Sequence, residues 1–376
     1  MKPLFALALL VVVYGCTDPV VPAFDDPESF YLVEGSIADR TGVSQAKVSR
    51  YERVNDRFLL LPQREMTVSS VAEDGTEVTW FHDTLAPGTY FPPPDFTAVI
   101  GRAYFLRVLT PQGDLFESRP EVIPFPVPIT ELAVSFDQES YFRPSLQRFV
   151  PAFSYSLSFQ DPVGTPNYYQ ASYRYWETTR ICASCDFGRW RDGTCIPDSR
   201  NTGTWDYECG EICYAIRYGD ELNIISDEFG DGALIADLPV GRLDHNRNTG
   251  GLLFEAQLNS ISKEAHTYLR VLTEISEDGG GLNATIPTAL LGNVSAIVRD
   301  GISPPLVLGF VNAVSTSAER LYLDRTEVDG RPLPSRISPV WEPPLVNCPP
   351  PIGCPPTPPC SPNIFRTPVQ PEGWGE

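Results

Sequence analysis

The chain has 376 residues, 42% of them hydrophobic and 11% aromatic, so it can bury substantial cores and is too long for one ordinary domain. A formal net charge of −20 disfavours phosphate backbones and acidic headgroups as partners, so nucleic acid is excluded as an expected ligand and the acidity is read as solubility. The content of 38 Pro and 28 Gly points to short strands and many turns, and the fold expected is mainly β.

Lys2 and the apolar run 4–13 have the charge and length of an export signal and are too short for a transmembrane helix of about 20 residues, so residues 1–15 are read as a signal peptide. Val13, Tyr14, Gly15 and Cys16 resemble the bacterial lipobox, although Tyr14 is bulky for it. Cys16 is therefore the expected lipidation site and first residue of the mature chain; the alternative is a secreted protein whose Cys16 pairs elsewhere. Acyl chains, at about 0.8 kcal/mol per buried methylene, would hold such a protein on a membrane without a spanning helix. Residues 16–28, rich in Pro and Asp, form the tether.

From residue 29 the pattern becomes β. Candidate strands at 31–37, 66–71, 77–82 and 103–109, with turns at Asp74-Gly75 and 111–114, predict an immunoglobulin- or fibronectin-like β-sandwich over 29–126. The proline-rich run 120–128 reads as the interdomain linker. A larger β-rich domain is expected over 127–343, with strands at 154–159, 168–176, 222–225, 252–258 and 306–314 and a Cys-rich insertion at 178–215. One α-helix is expected near 262–277, where Ala265, Tyr268, Leu269, Leu272 and Ile275 fall at helical spacing, Ser262 can cap the start and Gly279 to Gly281 the end. Residues 344–376 form a Pro/Cys-rich tail, which needs a bridge or a docking surface to hold one shape.

Setting Cys16 aside leaves Cys182, Cys185, Cys195, Cys209 and Cys213 in one cluster and Cys348, Cys354 and Cys360 in another. In an exported protein these are disulfide candidates, and since five and three cannot pair wholly within clusters, full pairing needs a bridge from mid-chain to tail. The spacing of Cys182, Cys185, Cys209 and Cys213 also suits a zinc site, but an oxidising compartment favours disulfides. The loops 227–232 and 244–248 concentrate oxygen ligands, yet neither follows the EF-hand order, and turn formation explains them more simply; no metal or cofactor is assigned. His82, His245 and His266 are isolated and no nucleophile elbow or zinc-protease motif occurs, so no catalytic residue is assigned. Tyr173, Tyr175, Trp176, Trp190 and Trp205 are the candidate ligand-stacking residues, with core packing as the competing reading.

Several stretches together resemble the Bacteroidota outer-membrane lipoprotein family known as domain of unknown function 4249. They are the opening strand 32–35, the strand and turn 104–113 with 116–118, the segment 159–162 with 167–169, Cys213-Tyr214, and above all 258–315 with its helix, Gly279 to Gly281, Ile286-Pro287, 292–294 and 307–310. The ending, Arg366-Thr367-Pro368 with Trp374, also fits. Asp18, Asp25 and Asp26 are loosely similar to the surface-export signal of such lipoproteins. The resemblance implies a lipid-anchored protein of the outer membrane, at the cell surface, that serves a TonB-dependent transporter barrel as an accessory for ligand capture or gating. It supplies no catalytic residues. The alternatives are a surface adhesion or assembly module and, with less support, a glycan or peptide hydrolase.

Overall fold

The structure, a computed structural model, describes residues 29–375 apart from 55–56, 85, 183–187, 192–193, 198–205, 208–211, 220, 229, 247–249, 278–291, 299–303, 335–339, 342–359 and 361. The signal, the tether, Cys16, Cys185, Cys209, Cys348, Cys354, Trp205 and Gly279 to Gly281 lie outside the described residues, and for Cys182, Cys195 and Trp190 the description stops at the backbone. The fold is mainly β, with one α-helix among the described residues.

The first nine strands are β1 (Ser29–Ala38), β2 (Gln45–Val54), β3 (Arg57–Pro62), β4 (Thr67–Ala72), β5 (Glu77–His82), β6 (Thr89–Phe91), β7 (Ala103–Leu109), β8 (Leu115–Ser118) and β9 (Glu121–Val122). β1, β2 and β3 pair in sequence, with β6 on β2; β5, β4, β7 and β8 form the facing sheet, and β9 also pairs with β7. Alternation selects the core: Tyr104, Leu106 and Val108 of β7 are buried, while the residues between them are only partly so. They meet Val33, Ile37, Val48, Trp80 and Phe116 in one hydrophobic cluster. This is the sandwich that the strand and turn spacing predicts.

The second half contains β10 (Ile129–Arg143), β11 (Arg148–Gln160), β12 (Tyr168–Cys182), β13 (Gly188–Arg191), β14 (Thr194–Pro197), β15 (Asp206–Tyr207), β16 (Ile212–Tyr218), β17 (Asn223–Ser226), β18 (Leu234–Asp244) and β19 (Gly251–Ile261). Then follow helix α1 (Lys263–Glu277), β20 (Val294–Ala296), β21 (Val307–Leu308), β22 (Val311–Asp324), β23 (Val340–Trp341) and β24 (Arg366–Thr367). β10, β11 and β18 make a three-stranded sheet that packs on a larger one built from β12, β16, β17, β19 and β22. Between them Phe254 stacks on Tyr155 at 3.7 Å and on Tyr173 at 5.0 Å. Burying one such ring contributes about 1.5–3 kcal/mol, so this aromatic stack is a principal anchor of the second core.

Two features tie the halves together. The prolines at 120–128 do not release a free linker, because Ile123 is buried in the first core and Val127 in the second. More consequentially, the late strand expected at 306–314 is broken at Gly309, which has φ +119° and lies so close to β1 that a Cβ there would sit 2.0 Å from the Val33 carbonyl oxygen. Beyond that break β22 runs on to Asp324 and serves two sheets. Val311 to Val314 pair parallel with Gly35 to Ala38 of β1, and Ser315 to Asp324 pair antiparallel with β19. β20 also extends the first sandwich, on β8, so residues more than 160 positions past the linker complete the first core.

Helix α1 covers the junction. Ser262 Oγ accepts from the Ala265 N–H at 3.0 Å, the capping bond its position suggests, and donates to Glu121 of β9 at 3.2 Å. Ala265 and Tyr268 pack on Ala38, Ile261, Phe310 and Val314, residues drawn from both halves. The tail is fastened by the disulfide Cys213–Cys360, spanning 147 positions, and by Trp374, which lies edge-on to Tyr214 and Tyr322. Among the described residues no helix is long and apolar enough to cross a membrane.

Replacing Ser262 by Ala is expected to cost about 1 kcal/mol, read from urea-unfolding midpoints. The double variant Cys213→Ser with Cys360→Ser is expected to lose about 2–4 kcal/mol and to open the carboxyl-terminal segment to limited proteolysis. An unchanged cleavage pattern would show that Trp374 and its neighbours hold the segment unaided.

Candidate functional site

A cleft of about 960 Å³ lies where the two halves meet. One wall is β1 at Glu34 to Ser36 with Ala86, Thr89 and Phe91; another is α1 through Ala265, Tyr268, Leu269 and Leu272. Its floor is the outer face of β12 and β19, and Tyr218, Ile364 and Phe365 close the far side. Tyr218 donates its hydroxyl to the Ile364 carbonyl at 2.9 Å, so the fastened tail is part of the site.

The floor follows from strand periodicity. Along β12, Tyr169, Ala171 and Tyr173 point to the second core, which leaves Gln170, Ser172 and Arg174 on the opposite face; along β19, Phe254, Ala256 and Leu258 are core, which leaves Glu255, Gln257 and Asn259. These polar residues are bonded to one another. Asn259 Nδ2 donates to Ser172 Oγ at 3.1 Å, Thr316 Oγ1 donates to Asn259 Oδ1 at 2.7 Å, and Thr316 N donates to Asp39 Oδ1 at 2.9 Å. The ladder thus runs from β12 through β22 to the end of β1. Burial raises the Asp39 carboxyl above its usual range, against the opposing Thr316 hydrogen bond.

At the end of the ladder Glu255 is fully buried. Arg174 Nε and Arg320 Nε each donate to it at 2.7 Å, Gln257 Nε2 donates at 2.7 Å, and Arg40 from the first sandwich approaches to 3.4 Å. Burial alone would raise this carboxyl, but the Arg174 guanidinium, with the hydrogen bonds from Arg174, Gln257 and Arg320, outweighs it and holds the group below its ordinary value of 4.5. Glu255 is consequently an ionised structural centre and a poor general acid. Arg174 and Arg320 also stand over the Trp176 ring at 5.0 and 5.2 Å.

The aromatic candidates divide accordingly. Tyr173 is buried against Phe254 and borders the cleft from beneath. Tyr175 packs on the second core, and burial, then the Glu177 charge, pushes its hydroxyl up to about 12. Trp176 is buried between Tyr214, Leu253 and the two guanidinia. Trp190 belongs to the small sheet of the insertion, paired by backbone with Cys195 and Tyr207. The aromatic residues on the cleft that the sequence reading passed over are Phe91, Tyr218, Tyr268, Phe310 and Phe365. A signal for the floor was present in the strictly alternating polar residues of two otherwise apolar strands.

The histidines remain separate: His82 accepts from Gly88 N in the first sandwich, His245 is edge-on to Phe136 and Phe153, and His266 lies on α1 against Tyr168. Among the described lining residues, Glu34 is the one carboxylate.

Because the folded pKa of Glu255 is depressed, its stabilisation is present above the unfolded value and is lost as pH falls through the folded one. Unfolding midpoints are expected to drop on acidification below about pH 4.5, and Glu255→Gln to remove that part of the pH dependence. At neutral pH the same substitution is expected to cost up to about 3 kcal/mol, because it leaves the partly buried guanidinium charges of Arg174 and Arg320 uncompensated. A neutral-pH stability equal to wild type would contradict this account of the cluster.

No curated protein matches the chain. A family model does match, over residues 17–320, which takes in the first sandwich, the helix and both strands of the cleft floor but stops short of Cys360 and the closing segment. The chain belongs to the family described as Domain of unknown function (DUF4249).

Proposed function

We propose that this protein is a non-enzymatic ligand-capture protein, held on the outer membrane by lipid at Cys16 and exposed at the cell surface, where it serves a TonB-dependent transporter barrel as an accessory or gate. The observation that carries the reading is the composition of the cleft. Amides and a hydroxyl, from Gln170, Gln257, Asn259, Asn312 and Ser172, alternate with the apolar faces of Phe91, Tyr218, Tyr268 and Phe365. Such a lining suits an uncharged, hydrogen-bonding ligand that also has an apolar face, as a saccharide or peptide does. The charged groups at the floor are already paired, which supports recognition over acid–base chemistry. Hydrolysis of a glycan by the usual route needs two facing carboxylates, and the described lining supplies Glu34 alone.

A second reading, an adhesion or assembly module, draws on β3. This strand pairs with β2 and exposes Leu59, Leu60 and Leu61 at 41%, 48% and 36%, an apolar sheet edge of the kind that protein contacts use.

Purification of the tagged, lipidated protein from its own outer membrane in mild detergent is expected to bring down a TonB-dependent barrel in stoichiometric amount. Recovery of the protein alone, under conditions that preserve other barrel complexes, would remove the transporter role and leave the edge-strand reading as the better one.

A further inference from the structure

The loop between β17 and β18 meets the loop between β11 and β12 at the end of the second domain, and three aspartates converge there. Asp161 closes β11, Asp227 follows β17 and Asp231 lies four residues on; one carboxylate oxygen of each lies within 4.8 Å of those of the other two. Two ligands of a single calcium ion stand no further apart than about 5 Å, so the spacing suits a shared ion.

Convergence alone would be ordinary for an acidic chain. The burial makes it otherwise: Asp161 is 1% exposed and Asp227 6% exposed, and the Asp227 Oδ2 meets no hydrogen-bond donor. A buried carboxylate oxygen left unpaired costs the full desolvation of the group, and two like charges beside it add repulsion. Among the described residues no Lys, Arg or His forms an ion pair with any of the three.

The surroundings fix the other two. Asp161 Oδ1 accepts from the Tyr169 hydroxyl at 2.5 Å and its Oδ2 from Gly232 N at 2.9 Å, while Asp231 Oδ1 accepts from Gly164 N at 2.7 Å. The Tyr169 hydroxyl, itself buried, holds Asp161 in place. Gly164 and Gly232 take φ +94° and +69°, turning both loops toward the cluster. Two loops, each held by an aspartate of the other, thus bring three carboxylate oxygens within 4.8 Å of one another.

We propose that Asp161, Asp227 and Asp231 form a divalent-cation site of calcium type that joins the ends of the two packed sheets of the second domain. All-oxygen, carboxylate-rich ligation is the chemistry of a hard cation, and the exposed Asp231 leaves the ion positions for water. The loop 227–232 lacks the EF-hand order that would mark such a site locally; the further ligand, Asp161, comes from 66 positions earlier. An ion here braces β17 and the start of β12, where Leu222 and Gln170 border the cleft.

The test uses the full mature chain, stripped with chelator and titrated with calcium alone. The melting temperature is expected to rise and to saturate, with a dissociation constant in or below the 10⁻⁴–10⁻³ M range, of the order found in extracellular modules. Terbium bound at the site is expected to give emission sensitised through Tyr169, reversed by calcium. Asp231→Asn, at an exposed position, is expected to fold normally and weaken calcium at least about tenfold. Asp227→Asn is expected to abolish the calcium response while melting no lower than the chelated wild type, since it removes an unpaired buried charge. Wild-type melting unmoved at about 10 mM calcium, or a wild-type response in both variants, overturns the proposal.

Discussion

The geometry of this molecule depends on one strand that belongs to two sheets. Through four residues β22 completes the first sandwich in parallel with β1, and through the next ten it closes the large sheet of the second half against β19. Strand pairing fixes separation and direction, so the two halves meet at a set angle instead of swinging about a linker. The cleft is the space left at that junction, and α1, laid across Ala38, Val314 and Ile261, keeps one wall in position. A ligand would meet a preformed surface, which reduces the ordering cost of binding.

Glu255 extends the same logic to charge. A fully buried carboxylate in an acidic protein needs compensation, and Glu255 receives it from cations on β12, on β22 and, through Arg40, in the first sandwich. The cluster therefore reports that three separate elements have docked. Arg320 also reaches the Glu372 carbonyl at 2.9 Å, so the closing segment is bound to the same centre that the Cys213–Cys360 bridge brings it near. Glu121 acts similarly on the other side of the junction, where it accepts from Ser262, Asn293 and the Ala313 N–H; burial raises its carboxyl above the usual range.

Local patterns carried much of this architecture. The run 103–109 alternates so regularly that β7 could be read residue for residue, and the helical spacing of Ala265, Tyr268, Leu269 and Leu272 with Ser262 before it fixed α1 to within a residue. What the sequence hid were relations between distant segments. Nothing near Val294 or Val311 signals that these residues return to a sandwich begun at Ser29, because pairing across such separations, antiparallel on β8 for Val294 and parallel on β1 for Val311, leaves no turn signature. For the same reason Arg40, Arg174, Glu255 and Arg320 are unremarkable one by one and become a cluster only when folded. At the site, Tyr173 and Tyr175 stand on the face turned to the core, and Trp176, on the other face, is buried under Arg174 and Arg320; period-two alternation assigns the cleft to Gln170, Ser172 and Arg174.

The central claim is that the junction cleft is where this protein meets its ligand. Its most direct test is a photo-crosslinking residue at Gln170, on the cleft floor, with parallel positions at Leu60 on the outer edge strand and at the exposed Val163, irradiated in the producing cell. Adducts at Gln170 and not at Val163 are the expected result. Adducts at Leu60 with none at Gln170 would contradict the account and move the site of recognition to the sheet edge.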